Sequence, residues 1–278
     1  KIKGNQIEIS DIFSILPIEY TNLSNQYISK GDLNFEGHLN GELNNNKRLN
    51  FSVNFNALNA YFKDKLNDIE LNKVKLEGVF NNRKQELKIV NFSSLINEKI
   101  LNGSFSISNF KEPIYFFSLN GLIDLNKNIF SNYLKDVSLE GETGFKIESK
   151  IITKKGNLLF EKINGKLSSK KIVLDHKAKN TLLILNNLDL NFSKKEIVLV
   201  TKESSFNKDD FDLKISVKNW DKVIFSDSKE LKITYDLNIN KFHLDDFIKL
   251  FSLEDSSSKR YQFDFKGVFN AEELYYDT

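Results

Sequence analysis

The chain contains no cysteine and no methionine, and only two prolines and three histidines among its 278 residues. Without cysteine there is no disulfide, no thiolate nucleophile and no Cys-ligated metal. The same absence fits an oxidising compartment, where stray thiols are a liability. Without methionine there is no initiator, so Lys1 is expected to be an excision point inside a longer protein. The prolines, Pro17 and Pro113, leave long stretches free of the residue that interrupts strand ladders. His38, His176 and His243 are far apart, and no two stand at the spacing of a metal site. His38 falls on the polar side of an alternating segment and reads as a solvated residue.

Other absences narrow the function. Apolar runs are short, as in Ile114-Tyr115-Phe116-Phe117 and Ile197-Val198-Leu199-Val200. A membrane span needs about 20 apolar residues, so any anchor is expected outside this chain. Charge of one sign is missing as well: 40 Lys+Arg stand against 38 Asp+Glu, a net charge of +2. That balance gives no electrostatic footprint for nucleic acid. Arginine occurs only at Arg48, Arg83 and Arg260, and the Lys, Asn and Ile richness reads as an AT-rich coding bias. There is no Gly-x-Ser-x-Gly elbow and no glycine-rich phosphate loop. Asp209-Asp210 and Asp245-Asp246 precede apolar segments and read as turn and helix-cap residues. No catalytic site, metal or cofactor is expected.

What the chain does have is alternation. Residues 33–43 place Leu33, Phe35, Gly37, Leu39, Gly41 and Leu43 on one side, with Asn34, Glu36, His38, Asn40 and Glu42 on the other. The pattern returns at Phe51–Phe55, Leu101–Ile107, Val137–Ile147, Phe211–Val217, Leu231–Ile239 and Tyr261–Phe269. A period of two marks strands with one apolar and one wet face. The expected fold is therefore mostly β: a long, curled, largely antiparallel sheet, an open β-groove or half-barrel of repeated units with a few short helices. About fourteen strands at roughly 4.8 Å would make a ribbon of order 65 Å, and an open sheet that large tends to curl or split.

The phase slips once in plain view. Ile69 and Leu71 share one parity, whereas Val74, Leu76 and Phe80 take the other, which places a bulge or tight turn near Asn72–Lys73. Glycine recurs at apolar-face parity, at Gly37, Gly41, Gly78, Gly103, Gly121, Gly141, Gly165 and Gly267. Glycine weakens a strand, so this placement is read as room for curling, with ordinary bulges as the alternative. Short helices are expected over Asp11–Leu16, Asn126–Leu134 and Asp245–Phe251, with Asp245 as a plausible N-cap. Matching order around Ile9, Leu125 and Leu244, and of Ile107-Ser108-Asn109-Phe110 with Val217-Lys218-Asn219-Trp220, divides one continuous repetitive domain into units 1–124, 125–243 and a partial 244–278. The segment Leu101–Leu134 is expected to superpose on Phe211–Phe251.

Three passages carry a family resemblance. Ser29-Lys30-Gly31-Asp32-Leu33-Asn34-Phe35-Glu36-Gly37-His38-Leu39-Asn40-Gly41 resembles an opening strand pair of AsmA-like proteins. Ile107 to Pro113 followed by Phe117 to Leu125 resembles their strand–strand–helix passage, and Asp236 to Phe247 resembles a later copy. The resemblance, which covers most of the chain, implies a periplasmic portion of an AsmA- or TamB-type bridge-like lipid-transfer protein of the Gram-negative envelope. It implies an inner-membrane anchor outside this chain, a trough with an apolar interior, and a part in phospholipid traffic and outer-membrane biogenesis.

The function expected is thus a non-enzymatic, periplasmic, lipid-binding or lipid-conducting groove. Its partners would be a phospholipid or other acyl-chain lipid and envelope proteins, with membrane contact through segments outside this chain and no nucleic acid. The candidate lining is Phe35, Leu39, Phe51, Val53, Phe55, Phe105, Ile107, Phe117, Leu119, Phe145, Ile147, Leu213, Ile215, Ile233, Tyr235, Leu237, Phe263 and Phe265. The alternatives are a scaffold for outer-membrane protein assembly, offering an edge strand for strand addition, and a closed β-sandwich or solenoid envelope protein.

Overall fold

The computed structural model describes residues 1–14, 26–41, 50–66, 68–126, 137–154, 157–225, 230–243 and 262–275. They form fourteen strands of one sheet, and the spatial order of the strands is their order in the chain. These are β1 (Ile2–Glu8), β2 (Tyr27–Asn40), β3 (Asn50–Asp64), β4 (Ile69–Asn81), β5 (Glu86–Ile96), β6 (Lys99–Ser108) and β7 (Ile114–Asp124). The others are β8 (Val137–Lys154), β9 (Asn157–His176), β10 (Thr181–Ser193), β11 (Glu196–Phe206), β12 (Asp209–Lys218), β13 (Glu230–His243) and β14 (Gln262–Tyr275). Two short helices, α1 (Ile9–Ser14) and α2 (Trp220–Phe225), and a 3-10 turn over Lys177–Lys179 complete the described elements. The sheet is open, with β1 and β14 at its two ends. The registers from β1 to β7 and from β9 to β13 are antiparallel, as alternation joined by short turns requires, whereas β13 pairs with β14 in parallel. The mostly β, largely antiparallel, sequential fold expected from the alternation is the fold the chain adopts.

The chain divides into two compact units, Lys1–Ile123 with Lys146–Lys162, and Asp124–Phe145 with Ile163–Thr278. In the first unit the slip near Asn72–Lys73 is a bulge. Lys73 has a φ of 51°, and the register shifts between Asn72 and Lys75 against β5 and between Ala57, Ala60 and Phe62 against β4. Neighbouring strands carry matching irregularities: Gln6 (φ 54°) in β1, Gly31 (φ 108°) in β2 and Asn59 (φ 57°) in β3. A left-handed residue inserted in a strand re-aims the side chains that follow. Here the line of bulges gathers Ala57, Ala60 and Val74, none of them exposed, into a small core closed by Ile9 of α1. Leu33, Phe62, Leu71, Leu76 and Phe92 pack around it. The helix begins at Ile9, two residues before the expected Asp11, because Ile9 is the residue that enters this core.

The second unit handles its bulges with hydroxyls. Glu203 (φ 52°) shifts the register of β11 against β12 between Thr201 and Ser204, and Asn187 (φ 46°) lies in β10. The backbone groups freed there are met by fully buried side chains. The Thr201 hydroxyl donates to the Asn186 carbonyl at 2.6 Å, and Ser204 Oγ accepts the Asn186 N–H at 2.9 Å. Ser169 Oγ donates to the Glu142 carbonyl at 2.7 Å. Buried backbone groups need such partners, since an unmet one costs about 1–3 kcal/mol. The single tryptophan, Trp220, opens α2, is buried, and donates its indole N–H to the Ser193 carbonyl at 2.8 Å.

Among the helix expectations, the segment after Asn126 and all of Asp245–Phe251 lie outside the described residues. Helix α2 was not anticipated. The two Asn-aromatic passages share one feature: Asn109 (φ 54°) and Asn219 (φ 64°) both follow a strand in the left-handed conformation. They then diverge, Phe110 into a turn and Trp220 into α2.

Candidate functional site

In an antiparallel ladder, residues directly opposite one another share a face, so the registers assign the candidate lining without ambiguity in the first unit. One row crosses seven strands as Gly4, Phe35, Phe55, Gly78, Ile89, Phe105 and Phe117. A second runs Ile2, Gly37, Val53, Phe80, Leu87, Ile107 and Tyr115, and a third Ile7, Leu33, Ala57, Leu76, Phe92, Gly103 and Leu119. Phe35, Val53, Phe55, Phe105, Ile107, Phe117 and Leu119 therefore share one apolar face and are half-buried. Leu39 and Phe51 oppose each other at the strand ends and are 45% and 39% exposed. Phe51 stacks on Phe80 (ring centroids 5.2 Å) and Phe80 on Phe110 (5.8 Å), making an aromatic rim at that end of the face.

The glycines of this face serve as seats for cross-strand side chains. A Cβ on Gly4 would lie 2.4 Å from the Phe35 ring, one on Gly78 2.3 Å from the Phe55 ring, and one on Gly103 2.5 Å from the Leu119 side chain. The directly opposed rings of Phe35 and Phe55 thus lean apart, each over the glycine on its outer side. Covering a strand glycine with a neighbouring aromatic restores the packing the glycine lacks.

In the second unit a row runs Leu167, Leu190, Leu199, Ile215, Tyr235 and Gly267, and another Gly165, Phe192, Ile197, Val217, Ile233 and Phe265. Leu213 stands opposite Leu237, which pairs with Phe269. Leu213, Ile215, Ile233, Tyr235 and Leu237 are half-buried on this face, Phe265 is exposed, and the Phe263 side chain lies outside the described residues. Tyr235 lies over Gly267 as Phe55 lies over Gly78. Phe145 and Ile147 are half-buried on β8, flanked at the same parity by the buried hydroxyls of Thr143 and Ser149.

Sequence reasoning traced no alternation through β5, β10 and β11, and in β9 marked only Gly165. In β5 a register shift against β6 between Ile89 and Phe92 breaks the parity, and in Leu182–Leu185 and Ile197–Val200 consecutive apolar residues hide the period.

The opposite face of the first unit is mainly polar and cross-linked, though Leu58 and Phe116 are exposed on it. Asn34 Nδ2 donates to Asn56 Oδ1 at 3.3 Å and Asn91 Nδ2 to Glu77 Oε2 at 2.8 Å. Lys1 and Lys3 hold Glu36, so hydrogen bonds from the two ammoniums keep its carboxyl below the ordinary carboxylate value. Two shallow hollows, of about 670 and 550 Å³, are lined mainly by residues of this face, among them Asn34, Asn54, Asn56, Glu77, Asn91 and Asn102. Exposed His38 also belongs here. His243 Nδ1 and Asp209 Oδ2 are 2.8 Å apart, and no group of three metal-ligating side chains occurs among the described residues. No helix among the described residues is long and apolar enough to cross a membrane. No protein-family model, curated protein or solved structure matches this chain.

Proposed function

We propose that this chain binds or conducts acyl-chain lipid on its apolar sheet face. The supporting observation is the row Phe35, Phe55, Phe105, Phe117 with its neighbours Val53, Ile107 and Leu119. These residues are contiguous across the first unit and only half-buried. A sealed sandwich buries such side chains, as Val74 is buried here. Contiguous exposed apolar surface marks an interaction site. The chemistry required is modest: an apolar surface that shields acyl chains, beside a polar face that meets water and headgroups. Together with the AsmA-like passages, this supports a periplasmic groove for phospholipid moving between inner and outer membranes, in the service of outer-membrane biogenesis. The chain would be held by an inner-membrane segment outside it.

The test is native mass spectrometry and lipid extraction of the chain purified from a membrane-containing host. Co-purified phospholipid is expected, and Phe117→Glu or Leu119→Glu should fold and carry less of it. Retained fold with unchanged lipid would exclude this face. Loss of fold with every such charge would make the face a sealed core.

A further inference from the structure

The mainly polar face of the first unit holds two apolar side chains beside one of its hollows. Leu58 on β3 is 61% exposed and Val90 on β5 is 45% exposed, and both line the hollow of about 550 Å³. Each falls inside a break in register, Leu58 between Ala57 and Ala60 against β4, Val90 between Ile89 and Phe92 against β6. Bulges of this kind re-aim side chains and are frequent beside functional sites. Around the two, the hollow carries Glu77, Asn91, Asn102 and Asn120, on four successive strands. Asn102 and Asn120 stand directly opposite each other, and neither side-chain amide has a hydrogen-bond partner among the described residues. Asn91 Nδ2 donates to Glu77 Oε2, which leaves Asn91 Oδ1 and Glu77 Oε1 as acceptors.

We propose that this hollow binds a neutral oligosaccharide, independently of the lipid reading of the opposite face. Its chemistry disfavours the other ligand classes in turn. Lys75 and Glu77 lie two residues apart on β4 and both line the hollow, so one cation beside one anion favours neither a phosphate nor an ammonium group. An acyl chain would strip water from the amides and the carboxylate without replacing their hydrogen bonds. A peptide adding as a strand needs unpaired backbone, whereas β4, β5 and β6 are paired on both sides. What remains is a ligand with many hydroxyls, each both donor and acceptor, and with C–H faces between them. A side-chain amide offers two donors and an acceptor, which matches a pair of such hydroxyls. Neighbouring strands lie about 4.8 Å apart, close to the separation of alternate equatorial hydroxyls on a pyranose ring, so Asn102 and Asn120 can hold one sugar between them. Leu58 and Val90 supply the apolar surface on which its C–H face loses water.

The probes are maltohexaose, cellohexaose and N-acetylchitohexaose, titrated into the isotope-labelled chain and followed by NMR. At least one should bind saturably and shift the side-chain amide signals of Asn91, Asn102 and Asn120. Asn102→Ala and Asn120→Ala should each weaken that binding about fivefold, the loss of one hydrogen bond. Leu58→Ser should weaken it by a similar factor through lost apolar contact. Circular dichroism checks that each variant folds, and the asparagine variants decide the matter should Leu58→Ser not fold. No saturable binding of any of the three sugars, shifts confined to other residues, or binding that the folded variants leave unchanged overturns the proposal.

Discussion

The ring of Phe55 lies across Gly78 of the next strand, so close that a Cβ there would meet its Cζ at 2.3 Å. Gly78→Ala should destabilise the first unit by about 1–3 kcal/mol, the usual cost of overpacking. Phe55→Leu should recover only part of that, because the Lys88 carbonyl would still stand 2.8 Å from the new methyl. Gly4→Ala meets only side-chain atoms, of Phe35 and Ile7, so Phe35→Leu should relieve more of its cost. Urea titration of the two double-mutant cycles measures the difference. Equal recovery in both would refute the seat-and-ring account.

The bulge in β11 depends on two hydroxyls. Thr201→Val removes the donor to the Asn186 carbonyl, and Ser204→Ala removes the acceptor of the Asn186 N–H. Each removes a partner of the half-buried Asn186 backbone and should cost about 1–3 kcal/mol, with Thr201→Val the milder because Ser204 Oγ stands 3.5 Å from the same carbonyl. The emission of Trp220 tracks the unfolding of this unit, since it is the chain's single tryptophan and is buried in the second unit. Wild-type midpoints in both variants would show that the bulge needs neither hydroxyl.

Burial separates core from lining in the first unit. Val74 is 0% exposed within the bulge-line core. Val74→Asp should cost several kcal/mol and unfold the unit, because an ionised group buried without a partner is not tolerated. Phe117→Glu, on a half-buried position, should lower the thermal midpoint far less. Comparable losses in the two variants would contradict the difference in exposure.

The first strand responds to acid. Glu36 has a lowered pKa in the folded chain, through hydrogen bonds from Lys1 and Lys3. A lowered carboxyl pKa contributes stability that is complete above the unfolded value, about 4.3, and is lost as pH falls through the folded value. The ion pairs are exposed, so the effect is small. Glu36→Gln should melt slightly below wild type at pH 6 and together with it at pH 3. A gap that persists at pH 3 would assign the effect to something other than charge.

Much of the fold was legible because alternation is a backbone consequence: Phe35, Phe55, Phe105 and Phe117 had to share a side once their strands paired in order. The slip at Asn72–Lys73 was legible for the same reason, since a bulge inverts parity. Less was legible where the period was masked, as in Ile197–Val200, or where the decisive contact was polar. Nothing in the letters Thr201 and Ser204 announced buried partners for a displaced backbone. Of the apolar-face glycines, Gly78 and Gly267 are also covered by aromatic side chains from the adjacent strand, a contact that alternation alone does not announce. The parallel β13–β14 pair left no local signature, because strand direction is set by the connection and not by side-chain alternation.

The sequential strand order bears on how the chain reaches this state. Each antiparallel neighbour is also the next segment of sequence, so most closures span short loops whose entropic cost is low. Such a sheet can lengthen one strand at a time from an already formed hairpin, in the manner of stacked repeats that contact only their neighbours. β14 is the exception, since its parallel pairing requires the chain to travel back along the full length of β13 before the ladder can form. In a hydrogen-exchange pulse-labelling experiment the hairpins β3–β4 and β10–β11 should acquire protection first and β14 last.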